Sequence, residues 1–206
     1  MLFRSVEEKK MGRQLFFAAA IILYGIFLGM PVWGQSCLQR GIAREVLRFH
    51  VLADSDSTED QILKMQVKDV LVEKLNGLLQ DCENAAESEK AVQENLGQIE
   101  TWAAEEIQRR GFSCPVSAAL ENVWFPEKSY GDCTFPEGEY RALQVKIGEA
   151  KGQNWWCLLF PGLCFAGTVE GEVPPPQKEK LRQVLTQEEY EAVTGKENLH
   201  FGFKWF

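Results

Sequence analysis

The chain has 206 residues, 22 basic and 30 acidic, for a net charge of −8. That is enough for one domain of ordinary size once any processed segment is removed. The first 35 residues hold four basic and two acidic side chains, so the remainder carries about −10, which repels phosphate backbones and excludes nucleic acid as an expected partner.

Residues 1–14, MLFRSVEEKKMGRQ, lead into an uncharged apolar run at 15–34, LFFAAAIILYGIFLGMPVWG. A basic start, an apolar middle and Val32 and Gly34 just before Gln35 have the form of a cleavable signal peptide. The run is also about 20 residues long, enough to cross a bilayer and remain as a tether. Both outcomes make it an export segment. All six cysteines, Cys37, Cys82, Cys114, Cys133, Cys157 and Cys164, lie beyond it. An even number permits disulfides in an oxidising compartment, and the sequence does not choose among the pairings.

From Ile42 to Ala53 the side chains alternate as in a half-buried strand, with Leu47, Phe49, Val51 and Ala53 on one face. Arg48, His50 and Leu52 take the other, so His50 points away from the more apolar side. A helix is predicted after Ser57 to about Leu79, with a stripe at Leu63, Val67, Val70, Leu71, Leu75 and Leu78. A second is predicted over Ser88 to Arg110, ended by Gly111. Strands are predicted at Pro115–Phe125, Glu139–Ile147 and Asn154–Phe160. The last, NWWCLLF, is apolar almost throughout and reads as a central strand covered on both faces. The expected fold is α/β, a mixed or largely antiparallel sheet with two long helices on one face, behind the export segment.

In the tail, GTVEGEVPPPQKEK (167–180) predicts an extended proline-rich linker. Thr186 and Glu189 form a capping-box pattern opening a short helix, and HFGFKWF closes the chain as an edge strand. The expected organisation is 1–35 for export, 36–166 for the folded domain and 167–206 for linker and C-terminal helix and strand.

The stretch RFHVLADSDSTEDQ, residues 48–61, gathers one of two histidines with several carboxylates. Asp54, Asp56 and Thr58 begin like a calcium loop, but Glu59 stands where the sharp turn needs glycine and Met65 where a bidentate glutamate is required. No metal or cofactor is therefore expected. Ser55 or Ser57 instead caps the following helix, with Glu59 and Asp60 opposing its dipole. His50 has no framed nucleophile beside it, so no catalytic residue is assigned. Hydrogen bonding across the strand-to-helix turn is its expected role. Trp155 and Trp156 should place one ring on each face of their strand. A loop turning over Pro161-Gly162 can bring Cys157 and Cys164 face to face as a disulfide.

RFHVLADSDSTEDQILKMQVKDVLVEKL (48–75) and FPEKSYGDCTFPEGEYRALQVKIGEAKGQNWWCLLFPGLCF (125–165) closely resemble the stage II sporulation protein R family of endospore-forming bacteria. KLRQVLTQEEYEAV resembles the family's end. The resemblance implies a signal made in the forespore and exported into the space between the two membranes. There it is required for a mother-cell membrane protease of the aspartyl type, stage II sporulation protein GA, to activate itself and cleave the precursor of sigma factor E. It implies a protease activator and not an enzyme. Asp54 stands where the family usually has Asn, keeping a capping oxygen. Cys157 and Cys164 match the pattern, whereas Cys82, Cys114 and Cys133 do not belong to it.

The expected partner is that membrane-embedded protease, met on its extracytoplasmic face. The contact surface is assigned to Arg48, His50, Asp54, Ser55, Asp56 and Ser57 together with Lys128, Tyr130 and Asp132. The competing expectation is an exported cell-envelope hydrolase or metal-dependent enzyme using His50, Asp54 and Asp56.

Overall fold

The structure is a computed structural model that describes residues 37–165 and 172–195. The export segment and the closing HFGFKWF lie outside the described residues. The chain divides into two units, 1–39 and 40–206, and apart from residues 37–39 the second carries everything below. Among the described residues no helix is long and apolar enough to cross a membrane.

Helix α1 occupies residues 37–45, and β1 follows at Leu47–Leu52. The alternation expected from Ile42 thus begins five residues later. Ile42 and Val46, both buried, are four apart and suit a helix as well as a strand, which a short apolar window does not distinguish. Helix α2, Thr58–Leu79, buries Leu63, Val67, Leu71 and Leu75, the four-residue spacing of one helical face. Where one helix was predicted over 88–110 there are two, α3 (Ala85–Glu94) and α4 (Leu96–Arg109). Asn95 breaks them: its side chain donates to the Ala91 carbonyl at 2.8 Å, and its backbone sits at φ −116°, ψ 14°. The buried stripe through Val92, Ile99, Ala103 and Ile107 runs across the break, which is why periodicity did not register it.

Strands β2 (Val116–Phe125), β5 (Gly138–Ile147) and β6 (Asn154–Phe160) join β1 in a four-stranded sheet of order β2-β5-β1-β6, with β3 (Lys128–Tyr130) and β4 (Cys133–Phe135) as a separate hairpin. Only β1 and β5 run parallel, so the sheet is mixed as expected. Strand β6 is at its edge and not its centre. Its residues from Cys157 to Phe160 are buried because both faces are covered, and side-chain burial carries no information about whether a backbone edge is paired. Leu47, Phe49 and Val51 with Leu143, Val145 and Ile147, joined by Leu120, Leu159 and Phe160, form the sheet's contribution to the core beneath α2, α3 and α4.

The tail corrects a further expectation. Residues 167–171 of the expected linker lie outside the described residues; in place of its remainder, α5 spans Pro175–Val184, with Pro174 as its cap and prolines in its first turn. At those positions the missing N–H has no intrahelical acceptor to lose, so proline starts a helix as readily as it prevents one. Leu181 anchors it, fully buried. Helix α6, Gln187–Thr194, opens with the expected capping box between Thr186 and Glu189.

Cys157 and Cys164 are disulfide-bonded, closing the turn from β6 into the 3-10 turn Leu163–Phe165. The separation is seven residues, so the unfolded chain is constrained only modestly. Cys164→Ser is expected to cost about 2–3 kcal/mol on the loop-closure model. Denaturant unfolding of wild type and variant measures this, and coincident midpoints would deny the bond a stabilising role.

Candidate docking site

The acidic turn after β1 is held by two sets of bonds. Within it, Ser57 Oγ accepts from Asp60 N at 3.1 Å and caps α2, as the sequence predicts, while Ser55 Oγ donates to the Asp60 carboxylate and accepts from Ser57 N at 3.1 Å. Gln61 Nε2 donates to the Ser55 carbonyl at 2.8 Å. The second set comes from residues 148–153, the loop between β5 and β6. Glu149 N donates to Asp54 Oδ1 and Gln153 N to Asp56 Oδ1, both at 2.7 Å. Lys151 N and Gly152 N donate to the carbonyls of Asp54 and Ala53 at 3.1 and 3.0 Å.

Lys64 completes this clasp. Its ammonium donates to Gln61 Oε1 at 2.6 Å and to the Gln153 carbonyl at 3.0 Å, and burial lowers its pKa from the ordinary lysine value. Two glycines make the approach possible: a Cβ on Gly148, whose φ is +59°, would lie 2.2 Å from the Asp54 carboxyl carbon, and one on Gly152 would lie 2.2 Å from the Ser55 carbonyl oxygen. The carboxylates of Asp54 and Asp56 are therefore acceptors for backbone N–H groups. Among the described residues no three His, Cys, Asp or Glu side chains are placed to hold a metal ion.

The remaining assigned residues lie elsewhere. Arg48 is 0 % and His50 1 % exposed, on the sheet face away from α2. Tyr130 is buried beside Arg48 from the hairpin, with its ring centroid 5.8 Å from the guanidinium. These three belong to the interior and not to a contact surface. An alternating strand hides both faces when the second is also roofed, and the hairpin that roofs it is too short to announce itself by periodicity.

His50 bonds along the sheet rather than across the strand-to-helix turn. Gln144 Nε2 lies 2.7 Å from His50 Nε2, so the ring accepts there and its proton sits on Nδ1. Its ring stacks on Trp156 at 4.9 Å, while Trp155 meets Phe49 on the helix side, one indole per face as expected. Burial, with Lys146 and Arg48 nearby, pushes the His50 pKa down to about 4. That favours a neutral ring.

Lys128 and Asp132 stand at the far end of the sheet from Asp54. The pairing of β2 with β5 runs from Val116 opposite Ile147, beside the clasp, to Phe125 opposite Gly138, beside the hairpin. Asp54 lies six positions beyond Arg48, just past the end of β1, which at strand rise is roughly 20 Å. The assigned surface is thus two patches. At the hairpin, Asp132 accepts from Val173 N at 2.9 Å and pairs with Lys178, tying α5 to the hairpin. Burial alone would raise the Asp132 pKa, but these two donors outweigh it and hold it below the usual carboxylate range. Cys133 next to it is a free, fully buried thiol, pushed up to about 11 by burial and by Asp132, and is a poor nucleophile. Gln61, Lys64, Gly148 and Gly152 were missed by sequence reasoning, although the paired glycines of GEAKG were a legible sign of close backbone approach.

Both halves of the clasp fall inside a match to the family model described as Stage II sporulation protein R, which covers residues 43–170. The chain is also 33 % identical over 156 residues to "Stage II sporulation protein R" of Bacillus subtilis strain 168, covering 75 % of this chain and 70 % of that one. No solved structure matches it. The hairpin, the clasp and β6 all lie within the matched region, and the chain belongs to the stage II sporulation protein R family.

Proposed function

We propose that this chain is an exported signal between the two compartments of a sporulating cell. On this reading it leaves the forespore by its N-terminal segment, cleaved or kept as a tether at 15–34, and enters the space between the forespore and mother-cell membranes. It binds the extracytoplasmic face of stage II sporulation protein GA and favours that protease's active state, leading to cleavage of the sigma factor E precursor. Membership of the family supports a sporulation role, and the match across both halves of the clasp is the observation that carries the finer reading. The Cys157–Cys164 disulfide fits an oxidising compartment outside the cytoplasm.

An activator shifts a protease between states only through unequal affinity for them, so it needs a well-defined surface. The clasp provides one: Asp56, Ser57, Glu59 and Lys151 are exposed on a backbone fixed from both sides. Arg48, His50 and Tyr130 support the fold beneath the surface. The hydrolase reading loses its base, because His50 is 1 % exposed and already engaged through Nε2.

Co-expression of the full chain with the protease and the sigma factor precursor tests the proposal. Precursor cleavage should require the chain. Lys151→Glu, which reverses an exposed charge on the clasp, should reduce cleavage severalfold without changing the chain's unfolding midpoint. Cleavage that is the same with and without the chain would sink the reading.

A further inference from the structure

We infer that the sheet face opposite α2 holds an internal binding site for a small monocarboxylate, organised by Arg48. Its guanidinium is 0 % exposed, and Nε, Nη1 and Nη2 all lack a hydrogen-bond partner. The rings of Phe125, Tyr140, Phe135 and Tyr130 surround it, with centroids 4.3, 4.8, 5.7 and 5.8 Å from the guanidinium carbon. These rings stabilise the positive charge through their quadrupoles, but they leave the in-plane N–H directions unanswered. An unpaired buried cation is costly, and charge balance inside a protein is ordinarily supplied by a counter-ion held in hydrogen-bonding geometry.

The neighbouring groups share the deficit. The Tyr130 hydroxyl, His50 Nδ1 and Gln144 Oε1 are also buried without partners. His50 Nδ1 carries the proton, since Nε2 accepts from Gln144, so it is a further donor. Phe125 lies against both Arg48 and His50, 4.3 Å from the guanidinium carbon and 5.5 Å between ring centroids, so the two face the same aromatic layer. The unmatched groups are mostly donors. A carboxylate fits them by charge and by shape, because its two oxygens match the paired donors of a guanidinium.

Because Arg48 and His50 are buried, the occupant inferred is a free ion of formate or acetate size and not a side chain borne on another protein. Entry requires movement of the hairpin β3–β4, whose Asp132 is tied to α5 through Val173 N and Lys178. Two three-residue strands are a small unit to open.

The test uses the full chain purified in non-ionic detergent at pH 7.5, titrated with sodium acetate against sodium chloride at constant ionic strength. Acetate should raise the unfolding midpoint saturably, by about 5–10 °C at a hundredfold excess over its Kd, and chloride should not. Tryptophan fluorescence should change over the same range in wild type and lose that change in Trp156→Phe. Arg48→Met should abolish the acetate response while leaving the acetate-free midpoint no lower, since it removes an uncompensated charge. Arg48→Lys keeps a charge without the paired donors and should also lose the response, which covers the case in which Arg48→Met does not fold. Equal midpoints in acetate and chloride, as when buried waters alone satisfy the guanidinium, would overturn the inference. So would an acetate response that survives in either variant.

Discussion

Gly152→Ala is expected to destabilise the domain by about 2–4 kcal/mol, lowering its thermal midpoint by roughly 10 °C. The added Cβ would stand 2.2 Å from the Ser55 carbonyl oxygen, 2.6 Å from its carbon and 2.9 Å from Ala53 Cβ. Two of those atoms are backbone, so no rotamer change relieves the contact. The loop must lift, and with it go the bonds from Gly152 N to Ala53, Lys151 N to Asp54 and Gln153 N to Asp56. Asp54 and Asp56 then lose backbone donors that hold them in place. Gly77 provides the control: it lies inside α2 with nothing within 4 Å of a built Cβ. Gly77→Ala should stabilise by up to about 1 kcal/mol through helix propensity alone. Differential scanning calorimetry separates the two, and equal shifts of the same sign would mean that the clasp is not closed in solution. In the co-expression assay Gly152→Ala should also lose more activity than a core variant matched to it in stability.

The fold was legible where a single periodicity spoke for a single environment. Leu63, Val67, Leu71 and Leu75 repeat at helical spacing against one core, and α2 ends where it was expected. Thr186 and Glu189 formed their capping box because that motif is local, needing no distant residue. Reading failed where two structures share a pattern. Ile42 and Val46 satisfied a strand while belonging to a helix and its exit, and the stripe from Val92 to Ile107 passed over a break made by one asparagine side chain. Pro174 to Pro176 were read for what proline prevents, although at a first turn it prevents nothing.

The candidate site divides along the same line. Ser57 as a cap is a local fact, and that reading stood. The partners of Asp54 and Asp56 lie about 95 residues away in sequence, and no local rule reaches them. The two most recognisable segments of the chain are therefore joined physically: DSDSTEDQ supplies the carboxylates and GEAKGQN the backbone donors. Similarly, Arg48 and His50 looked exposed because the strand has a less apolar face, but the aromatic residues of 125–140 close over that face. A polar residue on an amphipathic strand is solvated only if nothing further along the chain returns to cover it.

Lowering the pH from 7 to 5 should cost the domain about 2 kcal/mol through His50 alone. The ring titrates at about 4 in the folded chain, against 6.5 for the ordinary imidazole, because burial and the nearby charges of Lys146 and Arg48 oppose its protonation. Between those values the unfolded chain binds a proton that the folded chain does not, so stability rises with pH across the window. The contribution is complete above pH 6.5, falls as acid is added, and levels off below pH 4, for a total of about 3 kcal/mol. Asp132 works in the opposite chemical sense but the same direction. Its depressed pKa gives stability that is present above its ordinary value of 3.8 and lost as pH falls further, below the range in which His50 dominates. Chemical denaturation from pH 7 to 5 therefore isolates the histidine. His50→Gln, which keeps a polar partner for Gln144, should flatten the profile there, whatever its effect at pH 7. An identical slope in wild type and variant would assign the proton uptake to another group and show that His50 is not held neutral against Trp156. A flattened slope would establish that the imidazole serves as a desolvated packing and hydrogen-bonding element, which is incompatible with its use as a surface base.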